Sequence, residues 1–164
     1  MRRKYGIDQV SVRLVKEAPL LSEEEISTPE DAIRVLGDTF KDYDREVVGV
    51  VHLRSDNVPI NMTIISMGTL NQSLVHPREV LKAAFLSNAA TILLFHNHPS
   101  GNPSPSKEDD AVASNLSDAL RLFRIPLHDF VIVGGSELFS YREQGRGPYR
   151  RDPSACTAKI AETV

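Results

Sequence analysis

The sequence predicts an α/β layered domain built on a mixed sheet. Short apolar, β-branched runs alternate with segments whose apolar residues recur at helical spacing, the order expected of strands laid against helices. Some of the apolar runs are joined by turn residues alone, so hairpins accompany the helical crossovers. At 164 residues the chain is about one domain long, enough to bury a core without disulfide or metal staples.

Each element has a local reason. Residues 1–26 read as an extended arm, in which Val10, Val12 and Leu14 alternate with Gln9, Ser11 and Arg13 as in a half-buried strand. Thr28-Pro29-Glu30-Asp31 is a helix start, with a capping residue, a proline suited to the first turn and acids after it. Ala32, Ile33, Leu36 and Phe40 keep the helical spacing. Val47 to Leu53 reads as a buried strand. Ser55-Asp56-Asn57 is turn chemistry, Val58 to Ile65 is the returning strand, and Gly68 ends it. Pro77 opens a second helix whose apolar side carries Val80, Leu81, Ala84 and Phe85. Thr91 to Phe95 is a short buried strand that delivers the chain to His96. A Pro/Gly/Ser loop follows, and Ser106 caps a long helix running to about Arg124. Ile125 to Val133 and Leu138 to Tyr141 form a last pair of strands around Gly134-Gly135. The domain is thus expected over residues 27–145, with a loose polar tail at 146–164.

Composition excludes several classes. Hydrophobic residues make up 41% and charged residues 25%, ordinary for a soluble domain. The net charge is −3, which gives no electrostatic reason to expect nucleic acid as the main partner. A basic cluster occurs only at Arg142, Arg146, Arg150 and Arg151, where a solvated end explains it. Cys156 is the sole cysteine, so intrachain disulfides and cysteine-based structural zinc are ruled out. No apolar run reaches membrane-spanning length, and no apolar stretch follows the basic Met1-Arg2-Arg3-Lys4. The cytoplasm is the expected location.

The chemistry concentrates in one stretch. His96 and His98 are two apart at a strand end, so both rings can face one ion while Asn97 points away. Pro99 holds His98 extended. Asp109, in the first turn of the next helix, offers a third ligand. Two imidazoles and a carboxylate are groups zinc (Zn2+) accepts, and three protein ligands leave a fourth position for water. The competing structural reading is that Ser106 and Asp109 only form a helix cap. The pattern is not that of the HNH nucleases, whose residues are spread along a ββα unit. Nor is it that of the zinc deaminases, which need a downstream pair of cysteines.

His96-Asn97-His98-Pro99, six residues, Ser106, two residues, Asp109 resembles the JAMM motif of the JAB/MPN metalloproteases. Together with Met67-Gly68-Thr69-Leu70-Asn71 and Val75-His76-Pro77-Arg78-Glu79, it resembles the RadC-like branch over about Pro29 to Gly145. The resemblance implies a three-layer α/β/α, cytidine deaminase-like fold and a zinc-dependent peptidase-type site. His96, His98 and Asp109 map onto the metal ligands. Ser106 maps onto the serine that helps hold the developing oxyanion, and Glu46 onto the upstream acid that moves the proton of the catalytic water. Locally, Glu46 begins the apolar strand Val47 to Leu53, at a strand end suited to proton transfer, though a solvated charge beside Arg45 explains it too. The family often reads Asp-His late in the domain where this chain reads His128-Asp129, so no role is assigned to that pair. His76 and Arg78-Glu79 read as helix-start residues, and His52 as a packed or rim histidine.

The expected activity is hydrolysis of a peptide or isopeptide bond in a peptide or protein substrate. The rival reading is a DNA-repair or mobile-element accessory protein that binds metal and partners without turnover. The N-terminal strand leaves room for a homo-oligomer through strand pairing.

Overall fold

Two strands of seven residues each, β1 (Val47–Leu53) and β3 (Thr91–Asn97), are buried along their whole length. Only a strand covered on both faces and flanked on both edges can carry such a run, and these two occupy the middle of the sheet. The computed structural model describes residues 11, 14–15, 25–40, 43–68 and 75–150. The elements, in chain order, are α1 (Pro29–Phe40), β1, β2 (Pro59–Met67), α2 (Pro77–Leu86), β3, α3 (Lys107–Leu122), β4 (Leu127–Gly134), β5 (Glu137–Ser140) and a 3-10 turn at Gly147–Tyr149.

The sheet has five strands in the order β2-β1-β3-β4-β5. Neighbours pair antiparallel except β3 and β4, which are parallel and joined through α3. The mixed sheet expected from the sequence is therefore present. Its two faces have separate cores. On one, Ile26, Ala32, Leu36 and Phe40 pack on Val47, Val51, Leu93, Phe95 and Val131. On the other, Val80, Leu81 and Ala84 of α2 and Ala113, Leu116 and Leu120 of α3 pack on Val48, Val50, Leu94, Phe130 and Ile132. The alternation along β1 sends odd and even residues to different helices, and the result is three layers, α/β/α.

Helix starts follow the sequence closely. Thr28 Oγ1 accepts from the Asp31 N–H at 3.2 Å while Asp31 Oδ2 accepts from the Thr28 N–H at 2.9 Å. Ser106 and Asp109 make the same reciprocal pair at α3. His76 precedes α2 without a side-chain cap bond. β1 runs Val47–Leu53 as expected, but other strand ends differ. β3 runs past Phe95 through His96 and Asn97, because His96 is paired with Val48 on one side and Ile132 on the other. β4 starts at Leu127, since α3 closes through Phe123 and the left-handed Arg124 (φ 56°).

The N-terminal strand expected around Val10 to Leu14 lies mostly outside the described residues, as does the tail beyond Arg150. The part of that tail that is described is packed. Tyr149 Oη donates to the Leu127 carbonyl at 2.9 Å, and Arg146 pairs with Asp110. Among the described residues no helix is long and apolar enough to cross a membrane.

Candidate metal centre

β3 and β4 are parallel, and their carboxyl ends lie beside the N-terminus of α3, the usual place for a site in such sheets. β1 is antiparallel to β3, with Val48 opposite His96, so the residue preceding β1 arrives at the same edge. That residue is Glu46, 50 positions from His96 in sequence.

His96 Nε2 stands 3.8 Å from Asp109 Oδ1, and His98 Nε2 stands 3.6 Å from Asp109 Oδ2. One ligand atom from each residue falls within 4.8 Å of the others, so these three could hold a metal ion. Ligands about 2.1 Å from a tetrahedral ion stand roughly 3.4 Å apart, close to the two histidine–aspartate separations. The histidine tautomers suit this. His96 Nδ1 lies 2.9 Å from the Val47 carbonyl and His98 Nδ1 lies 2.8 Å from the Asn102 carbonyl. A carbonyl only accepts, so each Nδ1 carries a hydrogen, and in the neutral ring Nε2 is the nitrogen left with a lone pair on the Asp109 side. His96 Nε2 is fully buried with no hydrogen-bond partner among the described residues, a costly arrangement that a cation would relieve.

Electrostatics follow from burial and neighbours. Burial lowers the His96 pKa, so the ring stays neutral. The Asp109 carboxylate facing His98 raises its pKa above the usual 6.5, against the opposing effect of burial. Burial pushes the Asp109 carboxyl up, but His98 and hydrogen bonds from the Ser106 side chain and backbone outweigh it and bring it down to about 2. A proton on His98 competes with a cation for the same lone pair. Metal affinity is therefore expected to fall as pH drops through the raised His98 pKa, which titration calorimetry between about pH 5 and pH 8 would read.

Ser106 serves Asp109 twice. Its N–H and Oγ–H donate to Asp109 Oδ2 at 2.8 Å and 2.6 Å, and its Oγ accepts from the Asp109 N–H at 3.1 Å. The helix-cap reading and the ligand reading of Asp109 are thus compatible, since Oδ2 takes the cap bonds while still facing His98, and Oδ1 faces His96 free of them. Glu46, His98, Ser100, Asn102, Ser104, Ser106, Glu108 and Asp109 line one polar cleft of about 350 Å³. The loop that supplies its rim is seated on β4. A Cβ at Gly134 would lie 2.6 Å from the backbone of Asn102 and Pro103, so only glycine allows that approach.

Sequence reasoning treated Asn97 only as a residue pointing away from the ion, and missed what it does there. Its Oδ1 accepts from the Val47 N–H at 2.6 Å and its Nδ2 donates to the Arg45 carbonyl at 3.1 Å. Those groups flank Glu46, so Asn97 pins the backbone around Glu46 to the strand that carries both histidines. The Gly68 N–H, donating to the Glu46 carbonyl at 2.8 Å, holds it from β2. Asn97→Ala would strand the buried Val47 N–H, at a cost of about 1–3 kcal/mol. It is expected to lower the melting temperature and, if Glu46 acts in turnover, to reduce kcat while bound metal is retained.

His52 lies elsewhere on β1. His52 is wholly buried with Nδ1 2.6 Å from Asn61 Oδ1, four residue pairs along β1 from the Val48–His96 position. Arg78 meets Glu79 at 3.4 Å on an exposed helix start.

Comparison with known families matches residues 26–146 to the RadC-like JAB domain. The chain belongs to the RadC-like JAB domain family. Members of this family named UPF0758 protein include one from Salinibacter ruber, 41% identical over 121 residues, which are 74% of this chain and 52% of that protein. One from Desulfitobacterium hafniense is 42% identical over 120 residues, 73% of this chain and 53% of that protein. One from Methanosarcina mazei is 35% identical over 120 residues, 73% of this chain and 52% of that protein. The chain spans about half the length of these curated RadC-like relatives.

Proposed function

We propose that this RadC-like JAB domain is a zinc-dependent hydrolase of the JAMM metallopeptidase type, cleaving a peptide or isopeptide bond in a peptide or protein substrate. The observation that carries the reading is the convergence of His96 Nε2, His98 Nε2 and an Asp109 oxygen within 4.8 Å, beside a cleft that Glu46 also lines. When bound, zinc polarises a carbonyl and makes hydroxide available at neutral pH.

The chain's own groups do the rest. The Val47 and Asn102 carbonyls hold the two rings by Nδ1, so His96 and His98 would offer Nε2 to the metal, with Asp109 as the third ligand. Glu46 takes a proton from the attacking water and returns it to the leaving amine. Ser106 Oγ donates to the substrate oxygen as that oxygen becomes negative. Its single proton now goes to Asp109 Oδ2, so the hydroxyl must turn, leaving that oxygen with the Ser106 N–H.

The test is metal content together with cleavage of a peptide library that includes lysine-linked isopeptides. About one zinc per chain, with cleavage lost to a chelator and restored by zinc, is the expected result. Cleavage indifferent to chelation would overturn the reading. So would a zinc-loaded protein that leaves the whole library intact, the outcome that suits an accessory protein.

A further inference from the structure

We propose that Arg146 is a positioning residue for Asp109, acting through Asp110 and the first turn of α3. The proposal rests on the metal-site reading above. Asp109 is the third residue of α3, so its aim depends on where that turn sits relative to β3. The capping box closes the turn on itself and does not tie it to the sheet. Asp110 does. Arg146 Nε donates to Asp110 Oδ1 at 2.8 Å and Arg146 Nη2 to Asp110 Oδ2 at 2.8 Å, a two-pronged pair across 36 residues of sequence. Tyr141 Oη donates to Asp110 Oδ1 at 3.1 Å.

Both partners are themselves fixed to the histidine-bearing part of the sheet. Tyr141 is fully buried and stacks on Phe130 of β4, with ring centres 4.8 Å apart and planes at 14°. β4 is the parallel neighbour of β3. The Arg146 N–H donates to the Tyr141 carbonyl at 2.8 Å, and its guanidinium lies 5.8 Å from the Phe139 ring centre. Gly145 and Gly147, both at φ 57°, let the chain double back on either side of it.

The turn that carries them is built on Asp129. This buried carboxylate accepts from the Phe130 N–H at 2.7 Å, the Arg142 N–H at 3.0 Å and Ser140 Oγ at 2.6 Å. Ser140 Oγ in turn accepts from the Glu143 N–H at 3.0 Å. Asp129 thus gains a part to play: it shapes the 140–146 turn, which holds α3, which aims Asp109.

A brace and a mere charge predict opposite signs. Arg146 is a cation near the site, so removing it on charge grounds alone would tighten the grip on a divalent ion. Removing a brace loosens it. The pair is also about one-third exposed (37% and 36%), so solvent screens part of its charge attraction and the two-pronged geometry is what sets the turn.

Cobalt(II) is the probe, because its visible absorption reports ligand geometry without any need for turnover. Affinity is read by competition with a chelator, and folding by circular dichroism. Arg146→Ala is expected to weaken cobalt binding about 10-fold or more and to change the absorption band. Arg146→Lys, which keeps the charge and loses the fork, should recover only part of the loss. Tyr141→Phe, which keeps the ring stack, should show a smaller change in the same direction, and it decides the matter if Arg146→Ala does not fold. Tight cobalt binding with an unchanged band in Arg146→Ala, or in Tyr141→Phe where Arg146→Ala does not fold, would sink the brace and leave the metal site standing. A wild-type protein that binds no cobalt would sink the metal site, and the brace with it.

Discussion

Replacing His96 with alanine is expected to strip the protein of zinc while leaving the fold in place. The ring is wholly buried, with Nδ1 on the Val47 carbonyl and Nε2 without a hydrogen-bond partner among the described residues. Alanine gives up one hydrogen bond, worth about 1 kcal/mol, and opens a cavity. It also removes a buried nitrogen with no hydrogen-bond partner among the described residues. These terms oppose each other, so the metal-free protein should change stability by only a few kcal/mol. Binding should change far more, because one of three protein ligands is gone. Zinc present at about 1,000 times its dissociation constant stabilises a folded protein by about 4 kcal/mol. The wild type should therefore melt several degrees higher with zinc, and His96→Ala should not. Elemental analysis alongside the melting curves checks both halves. Stoichiometric zinc in the variant, or a wild-type melt that ignores zinc, would contradict the assignment.

Much of this site was legible because its parts are local. A residue spacing of two on a strand puts His96 and His98 on one side, and a Ser106–Asp109 spacing of three marks a helix start; neither needs knowledge of the fold. The two competing readings of Asp109 could not be separated in the sequence, and the structure gives a reason. One carboxylate has two oxygens: Oδ2 takes the cap bonds and faces His98, while Oδ1 faces His96 with no cap bond on it, so the two readings coexist.

What was not legible is what depends on register between distant segments. Asn97 holds the backbone around Glu46 across 50 and 52 residues, through contacts that exist only because β1 and β3 pair as they do. No periodicity announces that pairing. Arg146 looked like part of a solvated basic end, since its neighbours are polar and glycines flank it. Its acidic partner is on a helix 36 residues earlier. Asp129 likewise was given no role, and no local pattern marks its partners, which are the Phe130 N–H beside it and Ser140 and Arg142 across the β4–β5 return. β1 runs Val47–Leu53 as expected, but the end of β3 was missed by two residues for the same reason: ladder partners, not local propensity, extended it through Asn97.

Glu46→Gln is expected to lower kcat further than Ser106→Ala, with zinc retained in the former. Glutamine keeps the size of glutamate and cannot take up a proton. In the proposed reaction that group moves a proton twice, from water and then to the leaving amine, and general acid–base catalysis typically contributes about 100- to 10,000-fold. Ser106 contributes one donor to the oxyanion, and losing such a donor costs about 3–4 kcal/mol of barrier, or roughly 100- to 1,000-fold. Ser106→Ala carries a second cost that Glu46→Gln does not. It removes a helix cap, worth about 1 kcal/mol of stability, and one hydrogen bond to the Asp109 carboxylate. Zinc affinity should thus weaken in Ser106→Ala and stay near wild type in Glu46→Gln, so the two must be compared at saturating metal. Single-turnover rates on a cleavable peptide, with bound zinc measured in the same samples, separate the effects. Were Ser106→Ala slower than Glu46→Gln when both are fully loaded, the proton-transfer role would pass from Glu46 to another group lining the cleft.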